Sequence, residues 1–205
     1  MHVRKSRRGF TLTEMMVVVA ILGLLAVVGI SSMARQNDAR AVRGAAAELQ
    51  DIMQQLRARA VTTNRAVVLT VVAGGNGSPS NLSWTESTSN LCAGATAALT
   101  PAGTLVMDAV NPNSATRNTA IMRVRPSATG SLRICFQPSG RVVDPATGRP
   151  FASLSAGALG GRAYVELAPL DCDSGAVCTA LPYVMTLAIG FNGLSEVMNP
   201  EFRLP

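Results

Sequence analysis

Arg7-Arg8-Gly9-Phe10-Thr11-Leu12-Thr13-Glu14, followed without a break by Met15-Met16-Val17-Val18-Val19-Ala20-Ile21-Leu22-Gly23-Leu24-Leu25-Ala26-Val27-Val28-Gly29-Ile30, decides how the chain is organised. Between Phe10 and Ile30 only Glu14 carries a charge. At ~1.5 Å per residue a helix over this stretch is about 32 Å long, enough to cross a bilayer core. The residues before it are basic and contain no apolar run, so they are expected on the cytoplasmic side, with the remainder outside as a single-pass protein. A secretory signal is cut after its apolar run, next to small residues. Here the small residue, Gly9, comes first. A cut at Gly9 would leave the hydrophobic helix on the mature protein.

Glu14 is the anomaly in that helix. An ionised side chain at the centre of a spanning helix costs about 2.5–3.5 kcal/mol on insertion scales, so it ordinarily has a partner or lies near the interface. One reading is that Glu14 is close enough to the helix end to reach water. The sharper reading uses the cut. A new α-amino group on Phe10 would be a cation at the helix start, where the macrodipole already favours a nearby carboxylate. Between staggered parallel helices, Glu14 of one subunit would meet the Phe10 amine of the next and set their register.

Residues 7–14 and the apolar run behind them closely resemble the class III leader of type IV pilins and type II secretion pseudopilins. The resemblance implies that a prepilin peptidase cuts between Gly9 and Phe10 and N-methylates Phe10. It also implies the assembly role of Glu14.

Composition narrows the remaining choices. Four of the 18 basic residues lie within residues 1–9, leaving 14 against all 12 acids, so the net charge of +6 is largely a property of the leader. It is weak evidence for a nucleic-acid surface. The sole histidine is His2 and the sole lysine is Lys5. Beyond Gly9 no Ser-His-Asp triad, Cys-His pair or lysine chemistry can be assembled. The chain is not expected to be an enzyme, and no cofactor or catalytic residue is assigned.

Four cysteines remain, Cys92, Cys135, Cys172 and Cys178. They lack the paired C-x2-C spacing of zinc ribbons, although an all-thiolate site and free buried thiols are both open. An even count beyond a membrane segment reads better as disulfides. Of three connectivities we favour Cys172–Cys178, closing a small polar loop, with Cys92 joined to Cys135.

From Ser31 to Thr63, Val42, Ala45, Ala46, Leu49, Ile52, Met53, Leu56 and Ala60 recur at three- and four-residue steps, while Arg35, Arg40, Arg43, Asp51, Arg57 and Arg59 take other positions. This pattern predicts an amphipathic helix with one face for a folded domain. No proline interrupts Phe10 to Asn64, so a single long helix is expected. Strands are expected at Ala66–Val72, Asn81–Glu86, Gly103–Met107, Thr119–Arg125, Ser131–Phe136, Arg162–Leu167 and Tyr183–Ile189, with turn signals at Gly74-Gly75-Asn76-Gly77. The fold class is then α+β: a long helix packed on a largely antiparallel β-sheet, a pilin-like roll. The divisions are 1–9 leader, 10–30 transmembrane and polymerisation helix, 31–63 amphipathic half, and 64–205 β-rich domain.

Within that class, three stretches are similar to FimT/GspH-type minor pilins: Arg57-Ala58-Arg59-Ala60 ending the helix, Arg65-Ala66-Val67-Val68-Leu69 opening the sheet, and Ile134-Cys135-Phe136-Gln137-Pro138-Ser139-Gly140-Arg141-Val142. The resemblance implies a low-copy subunit that helps initiate or cap a type IV pilus, with other major or minor pilins as partners. A type II secretion pseudopilin of the H type is the near alternative, and inner membrane with a periplasmic domain is the expected location. A DNA-binding pilin is a second class, resting on Arg117, Arg123, Arg125, Arg133, Arg141, Arg149, Arg162 and Arg203. The tail Pro200-Glu201-Phe202-Arg203-Leu204-Pro205 has one arginine beside one glutamate, and arginines on a sheet usually form a solvated face. Trp84, Tyr164 and Tyr183 read as packing residues with a wet edge.

Overall fold

A computed structural model describes residues 11–74, 79–92, 100–107, 119–125, 130–151, 162–172, 178–181 and 183–198; the side chains at 26–36, 38, 100–102 and 172 lie outside the description. Two compact units are distinguished, Met1–Asn37 and Asp38–Pro205. In the first, helix α1 (Leu12–Thr63) begins, and every large apolar side chain from Leu12 to Leu25 is exposed. Among the described residues no helix is long and apolar enough to cross a membrane. The expected spanning segment lies partly outside them, at Phe10 and at the side chains of 26–30.

In the second unit the helix presents the stripe read from its periodicity. Val42, Ala45, Ala46, Leu49, Met53, Leu56 and Ala60 are buried, and Ile52 packs partly buried beside them. Each full-sized aliphatic residue on that face contributes about 1.5–3 kcal/mol by leaving water. The helix ends at Thr63 because Asn64 adopts φ 52, the left-handed conformation that asparagine tolerates better than most residues.

Ten antiparallel-paired strands follow among the described residues: β1 (Val67–Val72), β2 (Ser80–Glu86), β3 (Thr100–Met107), β4 (Thr119–Arg125), β5 (Ser131–Phe136), β6 (Val142–Val143), β7 (Ala163–Cys172), β8 (Cys178–Ala180), β9 (Met185–Ile189) and β10 (Ser195–Val197). The fold is α+β, as expected, with the strands shared between two sheets. One has the order β3-β2-β1-β5-β6, the other β10-β9-β7-β4, with β8 added to β7. Alternate side chains from both sheets, including Leu69, Leu82, Ile121, Ile134, Val165 and Leu187, meet the helix stripe in one core.

Among the described residues, hydrogen bonds join the sheets at two corners. At one, buried Ser80 on β2 accepts the Ile121 amide at 3.0 Å through its hydroxyl, which also accepts from the Gly74 amide at 3.2 Å. The β4–β7 register slips between Ile121 and Arg123, so the Ser80 hydroxyl serves an amide beside a bulge. At the other, the Val142 amide donates to the Phe191 carbonyl at 2.8 Å. Trp84 lies flat over Gly103, directly opposite it on β3; a side chain there would collide with the indole.

Candidate functional site

Thr11 and Glu14 close the start of α1 on themselves. The Glu14 carboxylate accepts the Thr11 amide at 2.8 Å and its hydroxyl at 2.9 Å, while the Glu14 amide donates to the Thr11 hydroxyl at 3.3 Å. The Met15 amide donates to the Thr11 carbonyl at 3.3 Å, the first turn of the helix. This is a capping box, in which two orphan donors of a helix start are satisfied reciprocally. The Thr-x-x-Glu spacing carries that signal in the sequence. Glu14 therefore has an intrachain partner, and the arrangement holds its carboxylate at the head of an exposed apolar helix. Gly9 and Phe10 lie outside the described residues.

The Cys92–Cys135 disulfide has formed, with Cα atoms 6.1 Å apart. It anchors the segment after β2 across the outer face of the first sheet, where Ala66, Val68, Cys92, Cys135 and Val143 form a second small core. The same segment is pinned by backbone bonds from Ser87 to Ala66 and from Ala66 to Ser89, 2.7 and 2.9 Å long. That cover explains why Val68, on the outer face of β1, is buried, while Val72 further along the same face is exposed. Cys178 is also disulfide-bonded, and the β7–β8 register sets Cys172 opposite it; the side chain of Cys172 lies outside the description.

The three stretches that carried the subfamily resemblance converge. Arg57, on the last turns of α1, packs its guanidinium against two glycine turns. A side chain on Gly140 would sit 3.3 Å from the Arg57 guanidinium, and one on Gly193 would sit 3.0 Å from its Cδ and Nε. Both glycines have positive φ, 78 and 74, which L side chains rarely adopt. Arg141 stacks over the Phe191 ring, 5.5 Å from its centroid. A sequence pattern assigns Arg57 to the solvated face of a helix, and the role of Gly193 has no local signal.

The neighbouring basic residues are dispersed. Arg59 and Arg65 share Glu86, at 2.8 and 3.9 Å, and Arg162 reaches Glu196 at 3.4 Å. Arg123 and Arg125 lie on β4 of the second sheet and have interactions of their own, whereas Arg133 is on β5 of the first. Arg117 and Arg203 fall outside the described residues. Tyr164 is buried, and burial raises its phenol above the ordinary range, partly offset by the nearby Arg162 charge. Tyr183 and Trp84 are half-buried at the rim of the main core.

A helix that precedes antiparallel sheets, headed by a basic leader and a capped acid, defines a type IV pilin-like or pseudopilin subunit. The comparisons agree with that class. The family model described as the prokaryotic N-terminal methylation motif matches residues 4–30. The model described as type II transport protein GspH matches residues 45–169, more than half of the chain. The chain belongs to the GspH family, the FimT/GspH-type branch of these proteins. These families are structural pilin and pseudopilin proteins, which assemble with other pilins or pseudopilins. Comparison with curated proteins and with solved structures returned no match.

Proposed function

We propose that the chain is a minor pilin made as a membrane-anchored precursor. A prepilin peptidase cuts it between Gly9 and Phe10 and methylates the Phe10 amine. The apolar helix holds it in the inner membrane with the β-rich domain in the periplasm, until it enters a filament through that helix and helps initiate or cap a type IV pilus. The observation that supports this reading most is the head of α1: an acid fixed in the first turn, followed by a continuous exposed apolar surface that a soluble domain would have to bury. In the filament the Glu14 carboxylate exchanges the Thr11 groups for the Phe10 amine of a neighbouring subunit, a charge-assisted contact in an apolar setting. Cys172–Cys178 is proposed as the second disulfide.

A second reading, a pseudopilin of a type II secretion apparatus, is favoured by the family description of residues 45–169. Deletion of the gene separates the two. Loss of surface fibres with secretion intact supports the minor pilin; loss of secretion with fibres intact supports the pseudopilin. No effect on either process overturns both.

A further inference from the structure

The Arg57 turn cluster opens onto a groove of about 530 Å³ between the end of α1 and the β9–β10 turn, lined by Gln54, Arg57, Ala58, Val61, Leu194 and Ser195, among others. Its walls set a cation between two exposed apolar side chains. Val61 and Leu194 are 50% and 62% exposed, on opposite sides of the groove. The cation between them is half-buried, and among the described residues neither a carboxylate nor a hydrogen-bond acceptor meets it. Among the described residues that line the groove there is no acid. β10 is the last strand of its sheet, and Gln50 of the helix donates to the Ser195 carbonyl at 3.3 Å, fixing the width of the opening at one end.

A half-buried guanidinium loses hydration, and the turns at Gly140 and Gly193 hold it in place, so little side-chain entropy remains to be lost when an anion arrives. The planar donor fork suits a carboxylate, and the flanking apolar side chains suit an adjoining aliphatic or aromatic residue. We infer that this groove is a docking site for an acidic segment of a partner subunit, in which one Asp or Glu pairs with Arg57 and a neighbouring apolar residue covers Val61 and Leu194. The positive charge selects the acid, and the apolar walls exclude water from the pair. The inference rests on the assembly reading above and specifies where the β-rich domain receives its neighbour.

The test uses the full chain in its native envelope, with a photo-cross-linking amino acid at Val61 and, separately, at Met16 as a reporter of helix assembly. A Val61 adduct to another subunit is expected, mapping within a few residues of an Asp or Glu. Arg57→Glu should cut it about tenfold, because like charges then face each other. Leu194→Asp, at an exposed position that cannot disturb the core, should do the same by giving Arg57 a carboxylate from its own chain. Adducts insensitive to both changes, adducts to a segment without an acid, or a cross-link confined to the same chain overturn the proposal. A Met16 adduct without a Val61 adduct overturns the groove and leaves the assembly reading standing. Absence of both removes the two together.

Discussion

Replacing Cys92 and Cys135 together by alanine should remove a large part of the stability of the β-rich unit. The two residues are 43 positions apart, and in the chain-entropy account closing a loop of that size contributes about 4 kcal/mol at 25 °C. Whole domains are stable by only ~5–15 kcal/mol, so the loss should be plain in a denaturation curve. Alanine is the right replacement because both positions are buried, and serine would add hydroxyls without assured partners. The consequence is also local. Without the link, the segment over Ala66, Val68 and Val143 keeps, among the described residues, its backbone bonds to Ala66, so amide exchange at Ala66 and Ser87 should quicken more than at Leu69 or Ile134. Urea unfolding of the detergent-solubilised full chain, with hydrogen exchange on the same sample, measures both. A loss below about 1 kcal/mol, with unchanged exchange at Ala66 and Ser87, would refute the claim that this disulfide secures the outer face.

Other expectations follow from single positions. Ser80→Ala leaves the buried Ile121 amide and the half-buried Gly74 amide without their acceptor, which should cost about 2–3 kcal/mol in the same unfolding assay; a change within about 0.5 kcal/mol would mean that the corner repacks freely. Tyr164 has a raised pKa in the folded chain, so its contribution is fully present below the ordinary value near 10 and is lost as pH climbs through the folded value. The wild type should therefore lose stability above about pH 10 more steeply than Tyr164→Phe does, and parallel pH profiles would contradict this. Glu14→Gln should leave leader removal intact but reduce recovery in sheared filaments about tenfold, corresponding to roughly 1.4 kcal/mol per contact; wild-type recovery would remove Glu14 from the assembly contact.

The helix stripe and seven of the strands were legible because each rests on periodicity over several residues. Thr119–Arg125 and Ser131–Phe136 fall where alternation puts them, and Val42 to Ala60 face the core as their spacing demands. Val142–Val143, Cys178–Ala180 and Ser195–Val197 were not legible, since two or three residues carry no period. Their partners fix them: β6 on β5, β8 on β7, β10 on β9. The division into two sheets was hidden for a similar reason. The contact where they meet is long-range: the Ser80 hydroxyl accepts from an amide 41 residues away, beside the bulge at Ile121. At the N-terminus, Glu14 stood out as a charge in an apolar run, yet its nearest partner is Thr11, three residues back. The capping spacing Thr11-x-x-Glu14 is present there, and it supplies a local partner beside the one that a second chain would offer. Arg57 shows the reverse: periodicity assigns it to solvent, and two distant glycine turns bring it into the groove.

The first residue of the protein recovered from assembled fibres tests assembly through the apolar helix most directly. Peptide mass spectrometry of that material should find a terminal peptide beginning at Phe10 and carrying one methyl group on its amine. A terminus at Met1, or one lying beyond Ile30 with the apolar helix discarded, would contradict it.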